Sequence, residues 1–262
     1  MGNRDNVNVN AEDYVTWSWL GDGVAGGTLN ENGTVDSQVN VNTTAGFSIA
    51  TYTANGTNGA TFGHGLSQVP EVVMVKNLDT AANWVVYFDG FGESGGEIAY
   101  IILNLATARG YSNGSWYSYP TATLSPGLGS WDNLNTSGED YLAYSFHSVE
   151  GYSKFGTYIG NGNVDGTFIY TGFRPAWYMI RRYDSAPATG WAIEDNKREQ
   201  PFNPYARDLF ANANYNEQPD YRTDMLSNGF KARATSTNFN ASGGSYFYMA
   251  FAETPFKTAN AR

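Results

Sequence analysis

The chain has no cysteine, only two histidines, and charged residues at just 15% of its 262 positions. Each shortage removes a class of explanation. Without cysteine there is no disulfide, no thiolate metal site and no cysteine nucleophile, so stability must come from packing or oligomerisation. Lys and Arg number 15 against 25 Asp and Glu, a net charge of −10. That balance disfavours a nucleic-acid binder, which needs a basic face for phosphates, and it equally disfavours a polybasic membrane contact. No run approaches the ~18 consecutive apolar residues of a membrane span, so no membrane insertion is expected. The start, Met1-Gly2-Asn3-Arg4-Asp5-Asn6, is polar and lacks the apolar core of a secretion signal. A protein of this kind that acts outside its cell of synthesis is expected to leave by lysis or within an assembled particle.

What is plentiful is Gly (30), Tyr (19), Phe (15) and Trp (7), with much Asn, Thr and Ser. Gly, Asn, Thr and Ser are poor helix-interior residues, whereas aromatics and β-branched residues suit short strands joined by tight turns. The length suggests about two domains.

The sequence repeats itself. Gly46-Phe47-Ser48 returns as Gly151-Tyr152-Ser153, and Pro70-Glu71-Val72-Val73-Met74-Val75-Lys76 as Pro175-Ala176-Trp177-Tyr178-Met179-Ile180-Arg181, both at an offset of 105 (46 to 151, 70 to 175). Trp84 matches Trp191, and Ser137-Gly138-Glu139-Asp140-Tyr141 matches Ser242-Gly243-Gly244-Ser245-Tyr246. A third copy of the last element opens the chain, where Glu12-Asp13-Tyr14-Val15-Thr16-Trp17-Ser18-Trp19 resembles Glu139 to Phe146. Alternation predicts strands there, with one large apolar face (Val15, Trp17, Trp19; Leu142, Tyr144, Phe146; Phe247, Met249, Phe251) and one shallower, more polar face. Segments 71–76 and 176–181 are apolar on both faces and read as central strands. Segments 97–109 and 205–214 fit either strand or short helix, and 34–41 fits a short strand.

The expected fold is therefore all-β: two tandem β-sandwich (jelly-roll-like) repeats with an extra N-terminal strand. The expected boundaries are 1–45 for the N-terminal strand and linker, 46–150 and 151–257 for the repeats, and 258–262 for a tail. The spare strand, with Val15, Trp17 and Trp19 as its packing face, is expected to cap a repeat, in cis or across a subunit boundary.

The residues of catalysis are sparse. His64 lies in Gly63-His64-Gly65 and His147 follows a terminal strand; both read as turn or surface histidines. Asp89, Glu93 and Glu97, with Glu194, Asp195 and Glu199 in the second repeat, are the carboxylates available for glycoside hydrolysis, but no spacing forces two into one site. No Asp-x-Asp-x-Asp-Gly calcium loop, phosphate-binding Gly-rich loop or Gly-x-Ser-x-Gly turn appears. No enzyme activity, metal or cofactor is expected. The remaining signal is aromatic. Tyr111 to Pro120 holds Trp116, Tyr117 and Tyr119, and Trp131 follows in Gly129-Ser130-Trp131. Flat rings among Ser and Asn stack on sugars while their neighbours hydrogen-bond. The same rings would also serve to fill a sandwich or an interface.

Several of these motifs in combination resemble a known family: Gly46-Phe47-Ser48-Ile49, Gly63-His64-Gly65-Leu66, Asn83-Trp84-Val85-Val86-Tyr87, Thr171-Gly172-Phe173-Arg174-Pro175 and Tyr248-Met249-Ala250-Phe251-Ala252-Glu253. They look like a repeat domain of tailed-phage and marine-virus virion proteins, found in tail-fibre-like chains beside SPRY-type or laminin-G-type sandwiches. The resemblance implies a virion surface protein, such as a tail fibre, receptor-binding tip or head decoration. Its implied partners are other virion proteins, further copies of itself (a trimer among the forms allowed) and a host surface glycan. It carries no catalytic residues. A stand-alone carbohydrate-binding or carbohydrate-cleaving protein is the alternative.

Overall fold

The computed structural model describes residues 14–185, 190–198, 203–214 and 216–255. Glu12, Asp13, Glu199 and the tail 258–262 lie outside the described residues. The first half holds β1 (Thr28–Asn30), β2 (Ser37–Asn42), β3 (Phe47–Thr53), β4 (Val72–Asn77), β5 (Val85–Phe88) and β6 (Glu93–Ser94). It continues with β7 (Glu97–Ile102), β8 (Gly110–Tyr111), β9 (Trp116–Ser118), β10 (Gly127–Leu128) and β11 (Asp140–Phe146). The second half holds β12 (Ser153–Ile159), β13 (Phe168–Tyr170), β14 (Pro175–Arg182) and β15 (Ala192–Asp195). It ends with β16 (Tyr205–Phe210), β17 (Gln218–Leu226), β18 (Gly229–Ala232) and β19 (Ser245–Ala252). The two ambiguous segments thus resolve as strands, β7 and β16. Among the described residues no helix is long and apolar enough to cross a membrane.

The first sheet runs β1-β2-β3-β11-β4-β5-β7-β6, with β8 on β7; the second runs β12-β19-β14-β15-β16-β17-β18-β13. The pairings between these strands are antiparallel. The segment before the first repeat adds β1 and β2 to the edge beside β3. Three apolar layers follow from the period of two. Val72, Met74, Phe88 and Phe146 of the first sheet meet Trp177, Met179, Phe247 and Phe251 of the second in a shared central core. The alternate residues face outward: Val73, Val75, Tyr87, Tyr141 and Ala143 pack under β9, β10 and the loops carrying Phe62 and Leu134. In the second repeat Tyr178, Ile180, Tyr246 and Ala250 pack under β13, β17 and β18 through Ile169, Met225 and Phe230. Each repeat is a sandwich, and the two stand back to back through their inner sheets.

The outward face of β11 and β19 is not shallow and polar, as the pattern suggested. Tyr141, Ala143, Ser145 and Tyr246 are fully buried there. Small Ala143 and Ser145 let the outer layer approach closely, and the tyrosine hydroxyls are satisfied by backbone. Tyr141 Oη donates to the Asp132 carbonyl (2.7 Å) and Tyr246 Oη to the Thr237 carbonyl (2.8 Å).

The duplication extends to such hydrogen bonds. Tyr52 Oη donates to the Leu134 carbonyl and Tyr158 Oη to the Phe239 carbonyl, at 2.8 and 2.7 Å. Asn133 Oδ1 accepts the Asn83 N–H (2.7 Å) and Asn238 Oδ1 the Gly190 N–H (3.0 Å). Asn104 Oδ1 accepts the Trp84 N–H and Asn212 Oδ1 the Trp191 N–H, at 2.9 and 2.8 Å. These pairs give a residue-by-residue equivalence between the repeats.

The N-terminal segment is not a strand. Residues 14–20 have no ladder partner, yet they pack. Trp19 lies against Phe146 of the first sheet and against Trp177 and Phe251 of the second, with ring centroids 6.4, 5.6 and 5.3 Å away. Trp17 meets Trp177 at 6.2 Å, while Val15 is exposed. The two indoles help to line an apolar cavity of about 440 Å3 between the sheets. Alternating indoles fit this role as well as they fit a strand, because the rings of Phe146, Trp177 and Phe251 are there to receive them.

Candidate functional site

The four aromatic residues singled out by the loops do not gather at one place. Trp116 on β9 is fully buried, edge-on to Tyr87 at 6.0 Å, and so fills the outer core of the first repeat rather than facing a ligand. Tyr117 is 53% exposed, its ring lying flat along Gly59, where a Cβ would come within 3.0 Å of it. Tyr119 is exposed and donates to Glu93 Oε2 at 2.9 Å. Trp131 alone lies in a substantial depression.

That depression is an open groove of about 510 Å3, within the ~300–1,000 Å3 of small-ligand sites. One wall is a ring pair, Trp131 edge-to-face with Tyr100 of β7, centroids 4.6 Å apart at 78°. Two glycines let backbone lie directly against these rings. A Cβ on Gly110 would fall 2.5 Å from the Tyr100 hydroxyl, and one on Gly114 would fall 2.6 Å from Trp131 Nε1. The rim carries Asn83, Asp132 and Asn133. The oxygens of both amides are engaged, Asn133 Oδ1 by the Asn83 N–H and Asn83 Oδ1 by Asn104 Nδ2 (2.9 Å). Among the described residues the Asp132 carboxylate has no donor and the two amide NH2 groups have no acceptor. Sequence inspection missed Tyr100 and Asn83 because they come from a strand and a turn well before Trp131. Only the register of β7 against β5 brings them together.

Other candidates are placed elsewhere. His64 and His147 are both buried, correcting the reading of surface histidines. His64 Nδ1 accepts the Leu66 N–H at 3.0 Å and Nε2 lies 3.1 Å from the Thr121 carbonyl, which places the proton on Nε2. Burial pushes its pKa down, with the neighbouring His147 acting in the same direction. Asp89 accepts from the Tyr87 hydroxyl (3.3 Å) and Asp195 pairs with Arg198 (2.5 Å). Glu194 is buried in the second repeat, accepting from Tyr178 and Thr223. Burial, then the adjacent Asp208 carboxylate, push its carboxyl well above the usual range. Asp208 in turn pairs with Arg222 at 2.8 Å. Among the described residues no cluster of three or more metal-ligating side chains is present.

The fold and the groove define an all-β double sandwich carrying a ring-walled, polar-rimmed depression on its first repeat. The chain belongs to a family described as a domain of unknown function (DUF7483), whose profile matches residues 1–255. No curated protein and no solved structure matches it.

Proposed function

We propose that the chain is a non-enzymatic module of a virion surface, a tail-fibre, receptor-binding or decoration component, that assembles with other virion proteins and adheres to host-surface glycans. The observation that carries the reading is the Trp131–Tyr100 groove. A fixed aromatic wall beside unengaged amide and carboxylate groups is the chemistry by which proteins hold sugars. The motif resemblance supports the setting. Assembly is supported by exposed apolar residues on the two edge strands of the second sheet and the loop between them: Ile159 of β12, Val164, and Phe168 and Tyr170 of β13. The groove taken alone also suits a free-standing carbohydrate-binding protein. Antibody raised against the purified chain separates the two. Gold label on intact particles is the expected result; binding to host cells with no label on particles would favour the free-standing protein.

A further inference from the structure

The internal duplication provides its own comparison for the groove. By the paired hydrogen bonds, Asn133 corresponds to Asn238, Asp132 to Thr237, Trp131 to Ser236 and Asn83 to Gly190. By strand register, Val86 pairs with Ile101 and Ile193 with Leu209, so Tyr100 corresponds to Asp208. The supporting bonds are kept in both repeats, and Asn133 is kept as Asn238, while Trp131, Tyr100, Asp132 and Asn83 are all replaced. Where the first repeat has the Trp131–Tyr100 pair, the second has Ser236 and Asp208 bridged by Arg222. Its Nη1 donates to Ser236 Oγ (2.8 Å), its Nε pairs with Asp208 (2.8 Å), and its guanidinium stacks over Phe239 (5.6 Å). In the second repeat Arg222 engages both groups that replace the ring pair. In the first, Asn83, Asp132 and Asn133 keep polar atoms with no partner among the described residues.

Resting on the adhesion reading above, we propose that the first-repeat groove, and not its counterpart, is a binding site for an uncharged hexose unit of a surface glycan, with Trp131 as the ring platform. The left-over groups match a sugar diol. The Asn83 and Asn133 amide NH2 groups donate to hydroxyl oxygens, and the Asp132 carboxylate accepts the hydroxyl protons. The C–H face of the pyranose lies against the indole. Charge sets the class. A ring carboxylate on the ligand would face Asp132 on a protein of net charge −10, so uronic and sialic acids are disfavoured.

The test is calorimetric titration and saturation-transfer NMR of the whole chain against neutral oligosaccharides of glucose, galactose, mannose and their N-acetylated amines, with glucuronate and sialyllactose as charged comparators. Binding of at least one neutral sugar, weakened roughly tenfold or more by Trp131→Ala and unchanged by Tyr170→Ala at the exposed edge strand β13, is expected. Ala108→Arg, which puts a long side chain into the groove from the loop after β7 and leaves both rings in the chain, must abolish binding even if Trp131→Ala folds poorly. Asp132→Asn should narrow the gap between neutral and acidic sugars. The proposal is overturned if no neutral sugar binds, if binding survives Ala108→Arg, or if an acidic sugar binds most tightly. Labelled protein on host cells separates this from the broader reading. Adhesion that persists in Ala108→Arg leaves adhesion standing and refutes the groove. A wild-type chain that binds no cells refutes adhesion.

Discussion

Arg181 on β14 is a cation inside the central core. It is fully buried, and its Nε and Nη1 have no acceptor among the described residues. Among the described residues its one hydrogen bond runs from Nη2 to the Thr107 carbonyl (2.6 Å), and its guanidinium lies 6.0 Å from the Trp191 ring. Burial pushes its pKa down to about 10, against ~12.5 for a free guanidinium, which corresponds to a cost of ~3 kcal/mol for holding the charge. At pH 7 the group is charged in both folded and unfolded chains. The whole cost is therefore present there and at every lower pH, and it shrinks only above about pH 10. Arg181→Met keeps the length and removes the charge. The lost Thr107 bond costs ~1 kcal/mol, since Thr107 is exposed and water can replace the donor. The lost cation–π contact is largely offset by a thioether–indole contact. The net expectation is a gain of ~1–2 kcal/mol, or a Tm higher by roughly 3 °C per kcal/mol for a chain of this size. Calorimetry and urea melts at pH 7 measure it. A loss of more than ~1 kcal/mol would refute the reasoning, because it would mean that the guanidinium has a counter-charge in the folded state.

Three further outcomes follow from the same contacts. The raised pKa of Glu194 means that folding takes up a proton above the pH where the unfolded side chain ionises, so this group lowers stability as pH rises from about 4.3 toward its folded value. Glu194→Gln keeps an acceptor for Tyr178 and Thr223 and should stabilise the chain more at pH 8 than at pH 4.5 in urea melts; equal effects at both would contradict the assignment. Trp19→Ala removes an indole that touches both sheets and should cost ~2–3 kcal/mol, below the ~3–5 of a fully buried ring; a change under ~0.5 kcal/mol would show that the segment does not clasp the sandwich. Gly114→Ala pushes a methyl into Trp131 Nε1 and should weaken sugar binding by at least about threefold with little change in Tm, whereas unchanged binding would show that the indole position is not critical.

The strand content and the duplication were legible because period-two alternation and short motifs returning at a fixed offset can be read along the chain. β4 and β14 read as central strands because both of their faces are apolar, and both faces are buried. The same logic failed on β11 and β19, where Ala and Ser on one face look like solvent-facing residues but in fact mark close approach of an outer layer. It failed again at Tyr14 to Trp19, since aromatic spacing does not distinguish a strand from an extended strap that inserts rings. Of the site, only Trp131 was visible. Trp116 carries the same ring in the same kind of polar loop, and what separates the two is whether β9 pairs with β10 over the core. Tyr100, Asn83 and the pairing of Arg222 with Asp208 depend on register and long-range closure, which no local pattern contains.

Competition with intact particles tests the central claim most directly. Host cells are pre-incubated with the purified chain, wild type or Ala108→Arg, and adsorption of particles is then counted. Wild type should reduce adsorption in a saturable manner, and Ala108→Arg should leave it at the level of untreated cells. No reduction by wild type, or equal reduction by both proteins, would contradict an adhesion module working through the first-repeat groove.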